Sequence, residues 1–209
     1  LTALSGVRYA GLAMLLAVAV TLFWPGLGNL ALTAIAVVTG SLMAWISAKK
    51  VSMTNMPQMI ALYNGMGGGA AGCISAVELA NGTVTETGLL VLAIVGGLIG
   101  AISFSGSLVA FGKLQGLIRD RPLVFPLQKL VNLLVLLISV VLGGYIFFHA
   151  SHEYILFFFL AALAFGVMMT IPIGGGDMPV VISLYNALTG LAVGFEGFAI
   201  GNAAMIVAG

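Results

Sequence analysis

The sequence predicts an all-α, polytopic transmembrane bundle of about eight helices, and three observations carry that reading. Only 6% of the residues are charged while 61% are hydrophobic, with a mean hydropathy of +1.22, against roughly 25% charged in an ordinary soluble domain. The apolar residues fall into long runs, each near the ~20 residues that cross hydrocarbon. One run is also written twice: Met56 to Gly72 reads MPQMIALYNGMGGGAAG, and Met178 to Gly194, 122 residues on, reads MPVVISLYNALTGLAVG, with 9 of 17 positions identical.

Seven full-length segments follow in order: Val7–Phe23, Asn29–Ala48, Pro57–Ala80, Thr87–Phe111, Leu127–Phe148, Tyr154–Ile171 and Pro179–Phe198. An eighth, Ile200–Gly209, covers about half a span. The connectors Trp24-Pro25-Gly26, Lys49–Met56, Asn81–Glu86, Leu117–Pro126, His149–Glu153 and Pro172–Met178 are too short to be domains, so residues 1–209 read as one helical membrane domain with no soluble catalytic lobe. The chain opens at Leu1 without a methionine and stops inside an apolar run, which predicts a piece of a longer polypeptide. Its single cysteine, Cys73, lies among small residues of the third segment and reads as a packing residue.

Charge placement orients the segments. If they alternate in direction, all seven basic residues, Arg8, Lys49, Lys50, Lys113, Arg119, Arg121 and Lys129, fall on one side, while Glu78, Glu86, His149, His152, Glu153 and Glu196 fall in the opposite loops. The basic side is then cytoplasmic by the positive-inside rule. Segments three and seven, which hold the repeat, run in the same direction. Parallel repeats of this kind place functional sites near the repeat interface. Each copy opens on a cap candidate and Met-Pro, as Asn55-Met56-Pro57 and Asp177-Met178-Pro179, which suits a helix start because proline has no amide in need of a partner.

The repeat also duplicates a polar residue, Asn64 and Asn186. An amide deep in an apolar helix is costly without a partner or a wet path. Two readings stay open: an interhelical hydrogen bond worth about 0.6 kcal/mol, or the lining of a polar path. Gly65, Gly67, Gly68, Gly69 and Gly72 allow close helix packing, or room for water beside Asn64. Ser103, Ser105 and Ser107 could hydrogen-bond inside the bundle, with bonding back to their own helix as the default. Gly174-Gly175-Gly176-Asp177 lacks the Lys-Ser/Thr of a phosphate loop and follows no strand, so it reads as a hinge; Asp177 is either a helix cap or a charged contact for a soluble partner domain. Glu78, fourteen residues past Asn64, shares its helical face and marks a possible exit mouth. His149 and His152 beside Glu153 read as solvated rather than metal-binding. No nucleophile–base pair, CxxC, HExxH or nucleic-acid-type basic patch is present, which argues against a self-contained enzyme and against nucleic acid as a partner.

MTNMPQMIALYNGMGGGAAG, then GSLVAFGKLQG with RPLVFP, then PIGGGDMPVVISLYNALTG resemble the membrane domain of the β subunit of proton-translocating nicotinamide nucleotide transhydrogenase. The resemblance implies coupling of hydride transfer between NADH and NADP+ to proton translocation, with this chain supplying the proton path and no hydride-transfer site of its own. NADP(H) would sit on a soluble domain of the same subunit beyond this chain, and NAD(H) on a partner α subunit that also brings a membrane-spanning segment. A homodimer of αβ units in a bacterial inner membrane is implied as well. Asn186 matches a family asparagine of the proton path. Asn64 stands where many members carry a relay histidine, so a protonatable group is expected from the partner. Asp177, with Gly174, Gly175 and Gly176, matches a motif that faces the NADP(H) domain. The expected mechanism is alternating access of a polar site flanked by Asn64 and Asn186. The competing reading is a secondary transporter for a small solute or ion.

Overall fold

The computed structural model describes residues 2–23, 28–149 and 152–209; the connector Trp24-Pro25-Gly26 and the middle of the His149–Glu153 connector lie outside them. Eight helices follow one another: α1 (Thr2–Leu22), α2 (Leu30–Lys50), α3 (Met56–Asn81), α4 (Thr87–Leu114), α5 (Gln128–Phe148), α6 (His152–Thr170), α7 (Met178–Ala199) and α8 (Ala203–Ala208). They fall into two compact units, one ending at Val51 and the other running from Ser52 to Gly209. Among the described residues six helices, α1, α2, α4, α5, α6 and α7 with its preceding turn, are long and apolar enough to cross a membrane. The chain is an all-α polytopic membrane protein. Helix α3, at 26 residues, is long enough but less apolar, because glycines, Gln58, Asn64, Ser75 and Glu78 occupy it.

In the first unit neither α1 nor α2 buries a residue. Leu15, Leu16, Ile35 and Val38 are exposed along them, a surface compatible with hydrocarbon or with other helices rather than with water. At the end of α2, the Lys49 ammonium sits 4.5 Å from the centroid of the Trp45 ring, an arrangement typical of a membrane–water boundary.

The second unit is organised around α4, which touches α3, α5, α6 and α7. Helices α3 and α4 run antiparallel with their backbones in close approach. A Cβ on Gly68 would lie 3.0 Å from the Gly100 carbonyl oxygen, and one on Gly100 would lie 2.8 Å from the Gly68 oxygen and 2.9 Å from the Gly72 nitrogen. Gly65 faces Ser107 and Gly97 faces Ser75 in the same seam. The glycine run is therefore a packing surface. Helix α7 lies antiparallel to α4, with Tyr185 against Gly106 and Glu196 against Gly96, and so it runs parallel to α3, as the repeat predicts.

The repeat is also structural at its start and along its packed face. A single 3-10 turn precedes each copy, Met53–Asn55 before α3 and Gly175–Asp177 before α7, and Pro57 and Pro179 occupy the first helical turn. Asn55 and Asp177 sit at the caps, yet neither side chain makes a capping hydrogen bond. Gly68 and Gly72 meet α4, and their repeat equivalents Gly190 and Gly194 meet Gly209 beside α8. Thus α8 flanks α7 on the face that α4 covers on α3. The expected eighth segment is present as α8 but starts at Ala203 rather than Ile200: Gly201 (φ 67°) closes α7 with Asn202 N–H donating to the Gly197 carbonyl at 2.7 Å, a left-handed stop that favours glycine. Gly116 (φ 76°) ends α4 the same way, with Leu117 N–H bonded to the Gly112 carbonyl at 2.8 Å.

Because Gly100 meets backbone rather than flexible side chains, Gly100→Val is expected to force α3 and α4 apart and to lower stability by about 1–3 kcal/mol. Thermal unfolding in detergent checks this, and Gly88→Val, at a position with open space around its Cα, is the matched control.

Candidate functional site

Asn64 lies at the centre of a buried polar cluster built by three helices. It is 7% exposed, and its Nδ2 donates to Ser107 Oγ at 2.9 Å and reaches Ser103 Oγ at 3.4 Å, both on α4. Ser103 Oγ in turn donates to the Tyr185 carbonyl on α7 at 3.0 Å and lies 2.5 Å from Thr189 Oγ1. One helical turn along, the Tyr185 hydroxyl is 2.6 Å from Thr170 Oγ1 at the end of α6, and Thr170 donates to the Gly166 carbonyl at 2.7 Å. The amide oxygen of Asn64 is buried and makes no hydrogen bond among the described residues, so the cluster keeps one strong acceptor free. Such an acceptor costs about 1–3 kcal/mol unless something satisfies it.

Spacing explains which serines take part. Ser103 and Ser107 are four apart and share one face of α4, whereas Ser105 is turned away by about 200° and bonds back to Ala101 and Ile102. Only Ser105 thus follows the default, while Ser103 and Ser107 bond inside the bundle. On α7 the residues Tyr185, Thr189, Ala192 and Glu196 follow an i, i+4, i+7, i+11 pattern and all are buried. That stripe is the legible signal for Tyr185 and Thr189, which single-residue inspection overlooks.

Asn186 goes elsewhere. One residue past Tyr185, it is rotated by about 100°, is exposed, and lines a groove of about 360 Å³ with Pro57, Ile60, Pro179, Ile182 and Ser183. Among the described residues no hydrogen bond joins the two asparagines, and they face different neighbours: α4 covers the Asn64 face of α3, and α8 reaches the corresponding face of α7 at Gly190 and Gly194, about one turn short of Asn186.

At the end of the bundle where α3 and α7 begin, two loops lock together. Lys113, 2% exposed, donates its ammonium to the carbonyls of Ile171 at 2.5 Å and Ile173 at 2.6 Å. Gly175 N–H donates to the Asp120 carbonyl at 3.1 Å, and Gly174 lies against Pro122. Gly175 is buried, while Gly176 and Asp177 are exposed. The expected hinge is instead a pinned turn, and Lys113, in the last turn of α4, is a buried clamp. The Gly175 amide is already engaged and two carboxylates stand nearby, so these residues do not fit a nucleotide phosphate.

At the opposite end Glu78 is half-buried and accepts from the Thr83 hydroxyl. Glu196, expected in a loop, is instead 0% exposed within α7, and neither carboxylate oxygen has a hydrogen-bond partner. Cys73, expected inside the packing, is exposed; it borders a cavity of about 510 Å³ with Met66, Phe104 and Leu163. His152 and Glu153 belong to the first turn of α6 rather than a loop. His149 stacks on Tyr145 with ring centroids 4.8 Å apart.

All 209 residues match a family model described as the NAD(P) transhydrogenase beta subunit. The chain belongs to that family. Two Rhodospirillum rubrum sequences named NAD(P) transhydrogenase subunit beta are each 38% identical to it over 218 aligned residues, covering 100% of this chain and 47% of the relative. The chain spans about half the length of these relatives. Helix α4 is common to both places, carrying Ser103 and Ser107 of the Asn64 cluster and Lys113 of the clamp.

Replacing Lys113 by Met is expected to leave the Ile171 and Ile173 carbonyls without their donor and to release the Gly174–Asp177 turn. Hydrogen exchange at the Gly175 amide checks it: exchange should speed up by at least about ten-fold, the equivalent of about 1.4 kcal/mol.

Proposed function

We propose that this chain is the proton-conducting membrane part of a transhydrogenase β subunit, coupling proton movement to hydride transfer between NADH and NADP+. The observation that carries the reading is the Asn64–Ser107–Ser103–Thr189 cluster, a continuous set of hydroxyls and amides inside apolar helices with the Asn64 amide oxygen unsatisfied. An amide has no proton to release near neutral pH, so Asn64 holds a water or a partner's titratable group and does not relay a proton itself. The relay group comes from a membrane helix of the α subunit. The exposed groove at Asn186, with only Ser183 for polar company, suits a helix of another chain better than it suits a charged solute.

Coupling requires that protonation states favour different positions of the nucleotide domain. The exposed Asp177 beside the pinned Gly174–Gly176 turn is the contact for that domain, which lies on the same subunit and holds NADP(H); NAD(H) belongs to the α subunit. Helix α4 carries Ser103 and Ser107 at the cluster and Lys113 at the clamp, so a shift at one is transmitted along one rigid element. The complex is a dimer of αβ units in a bacterial inner membrane, with the Lys113 and Asp177 end cytoplasmic. A secondary transporter of a small solute is the competing reading, favoured by the cavity at the α3–α7 boundary.

The test is proton uptake into vesicles containing the complete β subunit with its α partner, driven by NADH and NADP+. Asn64→Leu and Asn186→Leu are expected to cut uptake at least about ten-fold while assembly survives, the scale of losing a positioned group in a proton path. Unchanged uptake returns both asparagines to packing, and solute uptake without nucleotides would favour the transporter.

A further inference from the structure

Resting on that reading, we propose that Glu196 is a proton-binding carboxyl of the translocation path, with Glu78 as the second carboxyl of the pair, at the end of the bundle away from the Lys113 clamp. Glu196 is 0% exposed and both of its oxygens lack hydrogen-bond partners. A carboxylate in such surroundings is costly, while a carboxylic acid costs far less; a group of this kind is retained where it exchanges a proton. Its place is built rather than incidental. Gly96 of α4 leaves the space it fills, since a Cβ there would collide with the Glu196 carboxylate.

Among the described residues, α3, α6 and α8 carry no Lys or Arg. Of the helices against α7, α3 runs parallel to it with Gly67 facing Thr189, which sets Glu78 about one turn further toward the helix end than Glu196. Helix α4 has Lys113 as its only charged residue, about 25 Å away along the helix, α8 has none, and α6, which packs with α7 around Ala199, brings His152 and Glu153 in its first turn. Glu78 is half-buried and reaches the helix end, where water has access, while Glu196 lies inward.

Glu196 also points along the path already described. It follows Thr189 by seven residues, two turns and about 10 Å on the same buried face of α7. Gly96, which faces Glu196, and Ser103, which faces Thr189, are likewise seven residues apart on α4, so the carboxyl and the Asn64 cluster lie along one α4–α7 seam. The step is a simple exchange: hydronium at the helix end gives its proton to a carboxylate oxygen, forming the O–H bond and leaving water, and the reverse transfer to water on the cluster side restores the carboxylate.

The experiment uses the complete αβ complex in sealed vesicles, with proton uptake and infrared difference spectra recorded between acid and alkaline states. Glu196→Gln, matched in shape, is expected to abolish a carboxylic C=O band of the wild type and to cut uptake about 100-fold, the scale of losing a positioned proton carrier; Glu196→Asp should restore part of both. Glu78→Gln should shift the Glu196 band and lower uptake. Uptake within about two-fold of wild type in Glu196→Gln overturns the inference. If Glu196→Gln fails to assemble, an unchanged band and unchanged uptake in Glu78→Gln overturn it instead. A wild-type complex that takes up no protons defeats the proposed function itself, whereas loss of uptake in Asn64→Leu with Glu196→Gln active defeats only this inference.

Discussion

The close approach of the α3 and α4 backbones is the constraint from which the rest of the second unit follows. In hydrocarbon there is little hydrophobic force between helices, so association depends on contact area and on hydrogen bonds that cross the interface. Glycine at 68, 72 and 100 removes the side chains that would hold the axes apart. Short polar groups then reach across the seam: Asn64 to Ser107, and Ser75 to the Ala93 carbonyl at 2.7 Å. With larger residues in the seam, Asn64 would have no partner within reach, and an amide at that depth would be too costly to keep.

Once α4 is committed to α3 on one side, its other faces set the remaining geometry. Gly106 admits the Tyr185 ring, Gly96 admits Glu196, and Ser105 and Ile102 lie against Gly166 of α6. The polar groups of three helices are thereby drawn onto one helix, which also carries Lys113 to the carbonyls of the α6–α7 loop. A rigid element with hydroxyls at its middle and a buried ammonium at its end is suited to linking events in the membrane to events at its surface, provided both bias the same two positions of the helix. The charged residues of this unit separate accordingly, with Lys113, Arg119, Asp120, Arg121, Lys129 and Asp177 at one end and Glu78, Glu86, Glu153 and Glu196 at the other.

The internal repeat gains meaning from the same packing. Sequence similarity is confined to α3 and α7, but the helix after each copy lies on equivalent glycines, α4 on Gly68 and Gly72, α8 beside Gly190 and Gly194. The two hairpins share a packing rule without sharing residues on their second helices. This explains why duplicated asparagines have different surroundings: equivalent positions of a repeat see equivalent neighbours only where both second helices extend equally far along them.

Much was legible from the chain alone. Low charge and long apolar runs determine a helical membrane protein, because a bilayer demands that each span satisfy its own backbone hydrogen bonds. The Met-Pro starts, the glycine seam and the parallel course of α3 and α7 follow from local chemistry and from counting crossings. Family membership was legible too, in motifs that stand contiguous in sequence. The tertiary structure alone decided that Asn64 is enclosed while Asn186 is exposed, that Ser103 and Ser107 bond across helices while Ser105 does not, and that Glu196 and Lys113 are buried although charged. Each of these depends on which face of a helix meets which neighbour. In an apolar surrounding the faces of a helix differ little in hydrophobicity, so periodicity leaves rotation undetermined until the packing of small residues fixes it.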